Sequence, residues 1–321
     1  MNFSMEIISE SVAKVNEIWY NKTKRREVTA VVCNACPRRC GADRTRKTGV
    51  CGVGESFFAA RAATHFWEEP CISSTKGSGT VFFSGCNLRC VFCQNFEVSH
   101  GCFGKEITDK QLCEIFDRLI AQGAHNLNLV NPTHYAERLA RVLRDYRSPV
   151  PVVYNSSGYE SVETLQKLEG LVDVYLPDFK FSRSDRALKY AGAADYPSVA
   201  AAAIAEMKRQ QPDDVFEGDL LKRGVIVRHL ILPKNTNASM EVLQTIADRF
   251  GTKTIVSLMA QYTPCGEIDR FPELQRPITQ REYDKVVAAL ADLGFENAYV
   301  QERTSADTQY IPPFDLTGIP N

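Results

Sequence analysis

Eleven cysteines in 321 residues constrain this chain more than any other feature, because seven of them fall into two tight groups. Cys33, Cys36, Cys40 and Cys51 form one group and Cys86, Cys90 and Cys93 the other, while Cys71, Cys102, Cys113 and Cys265 stand apart. An odd number of thiols does not close into a disulfide framework, and tight spacing is how thiolates are offered to metals, so a reducing compartment with metal-bound cysteine is expected. The charge balance removes other classes. Thirty-eight basic against 39 acidic residues, net -1, gives no broad attraction to nucleic acid or anionic lipid. No apolar run approaches the roughly 18 residues of a spanning helix, and Met1–Val15 lacks the basic-then-apolar order of a signal peptide. The expectation is a cytoplasmic protein with neither a nucleic-acid nor a membrane partner.

Two units are expected, with a boundary between residues 78 and 79. Residues 1–78 read as a helix over Met5–Asn21, a solvated basic stretch at Lys22–Arg26, and a lobe rich in Cys, Gly and Arg that a metal would organise. Residues 79–321 alternate short apolar runs with amphipathic segments, the pattern of parallel βα units. The predicted strands are Thr80–Ser84, Asn126–Asn131, Val150–Asn155, Val172–Pro177, Gly224–Leu232 and Thr254–Leu258. Helices are predicted near Asp109–Gln122, Thr133–Tyr146, Ser161–Leu168, Tyr196–Arg209, Ser239–Phe250 and Thr279–Leu293. The last is the most fully specified: Thr279 and Glu282 make a capping box, Tyr283, Val286, Val287 and Leu290 share one face, and Gly294 suits the stop. Six such repeats curl into a full or partial barrel whose reactive groups sit at the carboxyl ends of the strands.

The segment Gly85-Cys86-Asn87-Leu88-Arg89-Cys90-Val91-Phe92-Cys93 follows the first predicted core strand, so three thiolates sit in one loop at a strand's carboxyl end. Iron–sulfur clusters usually take four cysteines. A compact group of three therefore leaves one iron of a cubane open to an outside ligand, and an open iron is a catalytic site. The alternative is structural zinc, which needs a fourth ligand borrowed from the amino-terminal group.

The C-x3-C-x2-C spacing with Phe92 before the third cysteine resembles the signature of the radical S-adenosylmethionine (SAM) superfamily. The run Cys93-Gln94-Asn95 is similar to the pyruvate formate-lyase activating-enzyme-related branch. So are Cys36-Pro37-Arg38, Tyr154–Tyr159, Tyr175–Lys180, Arg228-His229-Leu230 and Met259-x-Gln261-Tyr262. The resemblance covers about residues 30–300 and implies a partial (β/α)6 parallel barrel of the α/β class, with a small Cys-rich amino-terminal metal-binding lobe. It also implies a [4Fe–4S] cluster on Cys86, Cys90 and Cys93 that reductively cleaves SAM to a 5′-deoxyadenosyl radical. A low-potential electron donor and a substrate, a protein glycine among the candidates, go with that activity; a radical modification of a peptide or small metabolite and a non-catalytic metal scaffold are the other readings.

By the same resemblance, Asn131 and Thr133 stand where the family has a Gly-Gly-Glu-like contact to the methionine amino group, although the carboxylate is missing here. Asn131 as a helix N-cap ahead of Pro132 is the plain structural reading. Asp178 and Lys180 match an Asp-x-Lys pair that binds the ribose hydroxyls and the SAM carboxylate; two apart on extended chain, they face one side. Asn155 and Ser156 are further candidates, with an ordinary turn as the alternative. Arg228, among apolar neighbours, needs a carboxylate, either that of SAM or an internal Asp or Glu. His229 alternates to the other face as a packed residue. Cys33, Cys36, Cys40 and Cys51 suffice for a complete site, structural zinc or an auxiliary Fe–S cluster.

Overall fold

The computed structural model describes residues 32–305 and 311–320, so the helix expected over Met5–Asn21 and the basic stretch Lys22–Arg26 lie outside the described residues. Cys33–Asn321 forms one compact unit. Within it, each of the six predicted strands is present. They are β2 (Ser78–Phe83), β4 (Leu127–Val130), β5 (Val152–Ser156), β6 (Val174–Pro177), β8 (Leu220–Leu230) and β9 (Ile255–Met259). All run parallel in the order β9-β8-β6-β5-β4-β2, in an α/β sheet that does not close.

Four further strands extend this frame. β1 (Phe57–His65) runs antiparallel beside β2, crossing the expected boundary at 78/79, and β3 (Lys105–Ile107) continues that edge. β7 (Val215–Glu217) makes a hairpin with β8, and β10 (Ala298–Val300) adds a parallel strand beyond β9. β3, β7 and β10, of three residues each, carry too little pattern to stand out from loop sequence.

Helices join the parallel strands at Asp109–Ala121, Ala136–Tyr146, Val162–Gln166, Ser184–Ala191, Tyr196–Gln210, Thr236–Phe250 and Gln280–Asp292. The capping box predicted at Thr279 and Glu282 is formed, and a second one, Thr108 with Gln111, opens Asp109–Ala121. In the last helix Val286 and Leu290 are buried and Tyr283 and Val287 pack beside them, as the periodicity predicts. The helix expected from Thr133 begins instead as a 3-10 turn, Thr133–Tyr135, before Ala136–Tyr146.

Both faces of the parallel strands are buried, so side chains alternate between an outer layer packed on helices and an inner layer. Tyr154, Tyr175, Val225, Val227 and Val256 belong to the outer core. Val153, Val174, Ile226 and Ile255 pack inward against Cys71 and Ile72 of the short helix Pro70–Ser73, which plugs the end where the strands begin. Two residues further along, at the same inward phase, stand Asn155, Arg228 and Ser257, followed by Asp178 and Met259. The inner face thus changes from apolar to polar toward the carboxyl ends of the strands. Among the described residues no helix is long and apolar enough to cross a membrane.

Candidate functional site

The polar inner face opens into a cavity of about 1100 Å³ whose wall includes Cys86, Cys90 and Cys93, together with Asn131, Asn155, Ser156, Asp178, Lys180 and Arg228. The cysteine loop leaves β2 through Gly85, where φ is +82° and an added Cβ would meet the Cys51 carbonyl at 2.6 Å, so only glycine fits. The Cys86 N–H donates to that same carbonyl at 3.1 Å. On the far side Val91 N–H donates to Tyr190 O at 2.9 Å, and Phe92 sits in an edge-on cage of Phe181, Tyr190 and Tyr262, 6.3–6.4 Å between centroids. That cage explains why an aromatic residue precedes the third cysteine: its ring contacts pin the loop in place.

Burial pushes the Cys86 thiol up to about 12, with the neighbouring Cys93 thiol adding to it, and raises Cys90 and Cys93 as well. Ser99 Oγ donates to Cys93 Sγ at 3.1 Å, and the ammonium of Lys180 acts on all three in the opposite sense. Thiols raised in this way become thiolates only against a strong positive centre, the chemistry an iron–sulfur cluster brings to its ligands. The donor set fits a cluster with three protein ligands.

Asp178 and Lys180, two apart beyond β6, pair directly with each other, as their shared face predicts. Asp178 is also reached by Arg228 Nε at 3.0 Å. Burial raises the Asp178 carboxyl, but the two cations outweigh it and hold it below the usual carboxylate range. Of the two partners open to Arg228 in the sequence, the internal one is realised. Its nitrogens go to Asp178, to Glu68 Oε2 at 3.3 Å and to Asn155 Oδ1 at 2.6 Å.

Asn131 does line the cavity, but it is not the N-cap that Asn-Pro suggests. Its backbone is left-handed, φ +58°, its N–H donates to Asn155 O at 2.8 Å and its side chain donates to Gly85 O, so it ties β4 to β5 and to the cysteine loop. Thr133 is a correction. Its side chain is buried off the cavity wall and donates to Glu160 Oε1 at 2.5 Å, because the 3-10 turn directs the hydroxyl between the strand ends rather than over them. Ser156 accepts the Gly158 N–H at 3.2 Å in a turn where Gly158, at φ +74°, passes against the Asp178 carbonyl. His229 faces outward as predicted and bonds Phe179 O at 2.9 Å.

Sequence reasoning missed Glu68 and Glu69. They follow β1 and enter the cavity beneath Arg228; Glu68 takes bonds from Asn128 and Asn155, both 3.1 Å, as well as from Arg228. Burial raises both carboxyls, with Arg228 opposing. Their only sequence signal is a polar Glu-Glu-Pro break between two apolar runs.

The amino-terminal cysteines stand off this cavity, behind its cysteine loop. A Cβ on Gly49 would lie 3.3 Å from Cys51 Sγ and 3.4 Å from Cys40 Sγ, so these two thiols approach the same glycine, and Cys33 bonds Cys40. Cys36 is pushed up to about 11 by burial and bonds the Asn87 side chain. Burial raises Cys40 too, yet N–H donors around it leave it lowered, while Cys51 is raised by burial. Arg38 fastens the lobe to the loop, donating to Asn87 O and Gly192 O, both at 2.8 Å. Among the described residues no three His, Cys, Asp or Glu side chains are gathered as the ligands of a single metal ion.

Residues 75–196 match the model of the 4Fe-4S single cluster domain. An uncharacterized protein of Methanocaldococcus jannaschii, MJ0674, is 29% identical over 265 residues, 79% of this chain and 73% of that protein. Among solved structures, Streptococcus suis SuiB bound to S-adenosylmethionine aligns over 68% of this chain and 48% of its own, at 10% identity and a TM-score of 0.48. The FeFe-hydrogenase maturase HydG from Carboxydothermus hydrogenoformans aligns over 72% and 56%, at 11% identity and a TM-score of 0.44. The chain spans about half the length of these solved proteins. The 4Fe-4S single-cluster match runs through the Cys86-x3-Cys90-x2-Cys93 loop, and that loop is set at the carboxyl end of a parallel strand.

Proposed function

We propose that Cys86, Cys90 and Cys93 hold a [4Fe–4S] cluster and that the adjoining cavity binds SAM for hydrogen abstraction from a carbon–hydrogen bond. The observation that carries this reading is the convergence on one cavity wall of three cysteines with Asp178, Lys180, Asn155 and Asn131. When bound, the cluster supplies the electron that splits the sulfonium into methionine and a 5′-deoxyadenosyl radical. The chain's own residues bind and orient. Asp178 accepts from the ribose hydroxyls, Lys180 pairs with the SAM carboxylate, and Asn155, Ser156 and the Asn131 segment complete the polar wall. Arg228 acts through Asp178 and Glu68 rather than on SAM, since its three nitrogens are directed to protein partners. Phe92, packed in its aromatic cage, keeps the wall beside the cysteines apolar and excludes water there.

Residues 1–78 serve as a metal-binding lobe and 79–321 as the catalytic core, with β1 of the former built into the latter's sheet. Cys33, Cys36, Cys40 and Cys51 hold structural zinc or an auxiliary cluster; the bonds from Arg38 and Cys36 to Asn87 support a role in bracing the catalytic loop. The finer reading, from the resemblance to activating enzymes, is generation of a glycyl radical on a partner protein in the cytoplasm, fed by a low-potential electron donor.

Anaerobic reconstitution with iron, sulfide, SAM and dithionite tests the central reading. The expected products are 5′-deoxyadenosine and methionine in equal amounts; their absence from the reconstituted wild-type chain would overturn it. A stable glycyl signal in electron paramagnetic resonance on a co-incubated partner would establish the finer one.

A further inference from the structure

The cavity has two ends, and the proposed SAM site occupies one of them. The cysteine end is built from residues that follow β2, β4, β5 and β6. The other is built from Phe66–Cys71, which follow β1 at the opening of the sheet, from the β7–β8 hairpin and from β10.

At this second end one carboxylate, Glu69, has no ion pair of its own among the described residues. Glu69 lies on the wall, 8% exposed, and its Oε2 has no hydrogen-bond partner among the described residues. Ser257 bonds the same carboxylate, and Arg228 is the cation that acts on it, but the nitrogens of Arg228 are directed to Asp178, Glu68 and Asn155. A second carboxylate, Asp219, is exposed on the hairpin tip at the same mouth. Burying a carboxylate without a cation is costly, and a chain that keeps one on a cavity wall has it ready for a charged ligand.

The walls around these carboxylates are aromatic. Phe66, Trp67 and Phe216 are exposed there, three of the four exposed Phe and Trp side chains among the described residues, and Tyr299 stands beside them on β10. Aromatic faces next to a carboxylate attract organic cations through the ring quadrupole and the charge together. The cavity, at about 1100 Å³, exceeds the roughly 300–1,000 Å³ that single small-molecule ligands fill, so a second molecule has room beside SAM.

We infer that the end lined by Glu69, Phe66, Trp67, Phe216 and Tyr299 is the substrate-binding end and that it takes an alkylammonium or guanidinium group. This rests on the proposed function only in placing SAM at the cysteine end. The cation belongs either to a free amine or to a lysine or arginine side chain of a peptide, and the two sources separate by experiment.

Equilibrium binding to the full chain, without SAM or reductant, tests the assignment independently of radical chemistry. The probes are n-butylammonium, n-butylguanidinium, the neutral n-butanol, the anion butyrate, and glycyl-lysyl-glycine amide. The cations bind, and butanol and butyrate bind at least about tenfold more weakly, a difference of about 1.4 kcal/mol. Tighter binding of the peptide than of butylammonium identifies a peptide substrate; the reverse order identifies a small amine. Glu69→Gln weakens cation binding about tenfold and leaves butanol unaffected. Trp67→Ala and Phe216→Ala, both exposed, each weaken it several-fold and guard against a Gln variant that does not fold. Equal binding of butanol, butyrate and the cations overturns the proposal. So does unchanged cation binding in a folded Glu69→Gln chain, or no binding of any cation.

Discussion

The two cysteine groups use the same side chain in opposite settings. The three-cysteine loop turns its thiols toward a large cavity, with Lys180 as counter-charge and room for another molecule alongside. The four-cysteine group lies behind that loop, off the cavity, and is tied to it by backbone and side-chain bonds: Cys51 O takes the Cys86 N–H, Arg89 Nη2 reaches Val50 O at 2.9 Å, and Cys36 bonds the Asn87 side chain. Thiol spacing announces both groups equally well. Which of them faces a ligand is decided by the strand end on which it is mounted, because only the carboxyl ends of the parallel strands surround the polar inner face. A thiol group that opens on a cavity is arranged for exchange, and one packed against loops for support.

The sharpest way to break this contrast is to remove one thiol from each group. Cys90→Ala abolishes 5′-deoxyadenosine formation and the iron bound at the loop, measured by product chromatography and metal analysis. Cys36→Ser lowers thermal stability more than it lowers cleavage per folded molecule. Equal loss of cleavage per folded chain in the two variants would show that the groups are not functionally distinct.

Next in size is the charge network beside the three-cysteine loop. Arg228→Met leaves Asp178 and Glu68 with one cation between them, and the loss of a buried ion-pair partner costs about 3–5 kcal/mol. Urea unfolding checks it; a change under about 1 kcal/mol, the scale of an exposed pair, would mean that Arg228 is not the hub. On the supporting side, Arg38→Ala removes its bonds to Asn87 O and Gly192 O and its stacking over Tyr159, 5.2 Å away, and costs about 1–3 kcal/mol by the same assay.

An effect of similar size concerns pH. Burial raises Glu160 from 4.5 to about 7, despite the bonds it accepts from Thr133 and Tyr154. The folded chain therefore holds a proton that the unfolded chain has released, and the group's contribution is fully present below about 4.5 and lost as pH rises through about 7. Up to about 3 kcal/mol of stability declines across that window. The wild-type melting temperature, measured against Glu160→Gln, should lose ground between about pH 5 and 7.5; parallel curves would remove Glu160 from the account.

Much of this molecule is legible from local pattern. Six strands, the capping box at Thr279 and Glu282, the outward turn of His229 and the shared face of Asp178 and Lys180 depend on periods of two or four residues within one segment. Asn131 departs from its local signal because an Asn-Pro pair marks a helix start, whereas here a backbone bond to β5 and a side-chain bond to Gly85 hold the residue left-handed. Thr133 falls off the wall for a similar reason: a single 3-10 turn redirects it toward Glu160.

By itself the sequence determined that two thiol groups exist, that one is mounted at a strand's carboxyl end, and that the frame is a parallel α/β sheet. These properties follow from spacing and periodicity along a continuous chain. The tertiary structure alone decided that Arg228 directs its charge to protein carboxylates, that Glu68 and Glu69 reach the cavity from a strand outside the parallel set, and that the four-cysteine group lies against the loop of the three. Each of those joins residues from distant segments, 160 positions apart for Glu68 and Arg228, and only folding brings such charges close enough for burial and Coulomb attraction to choose among partners.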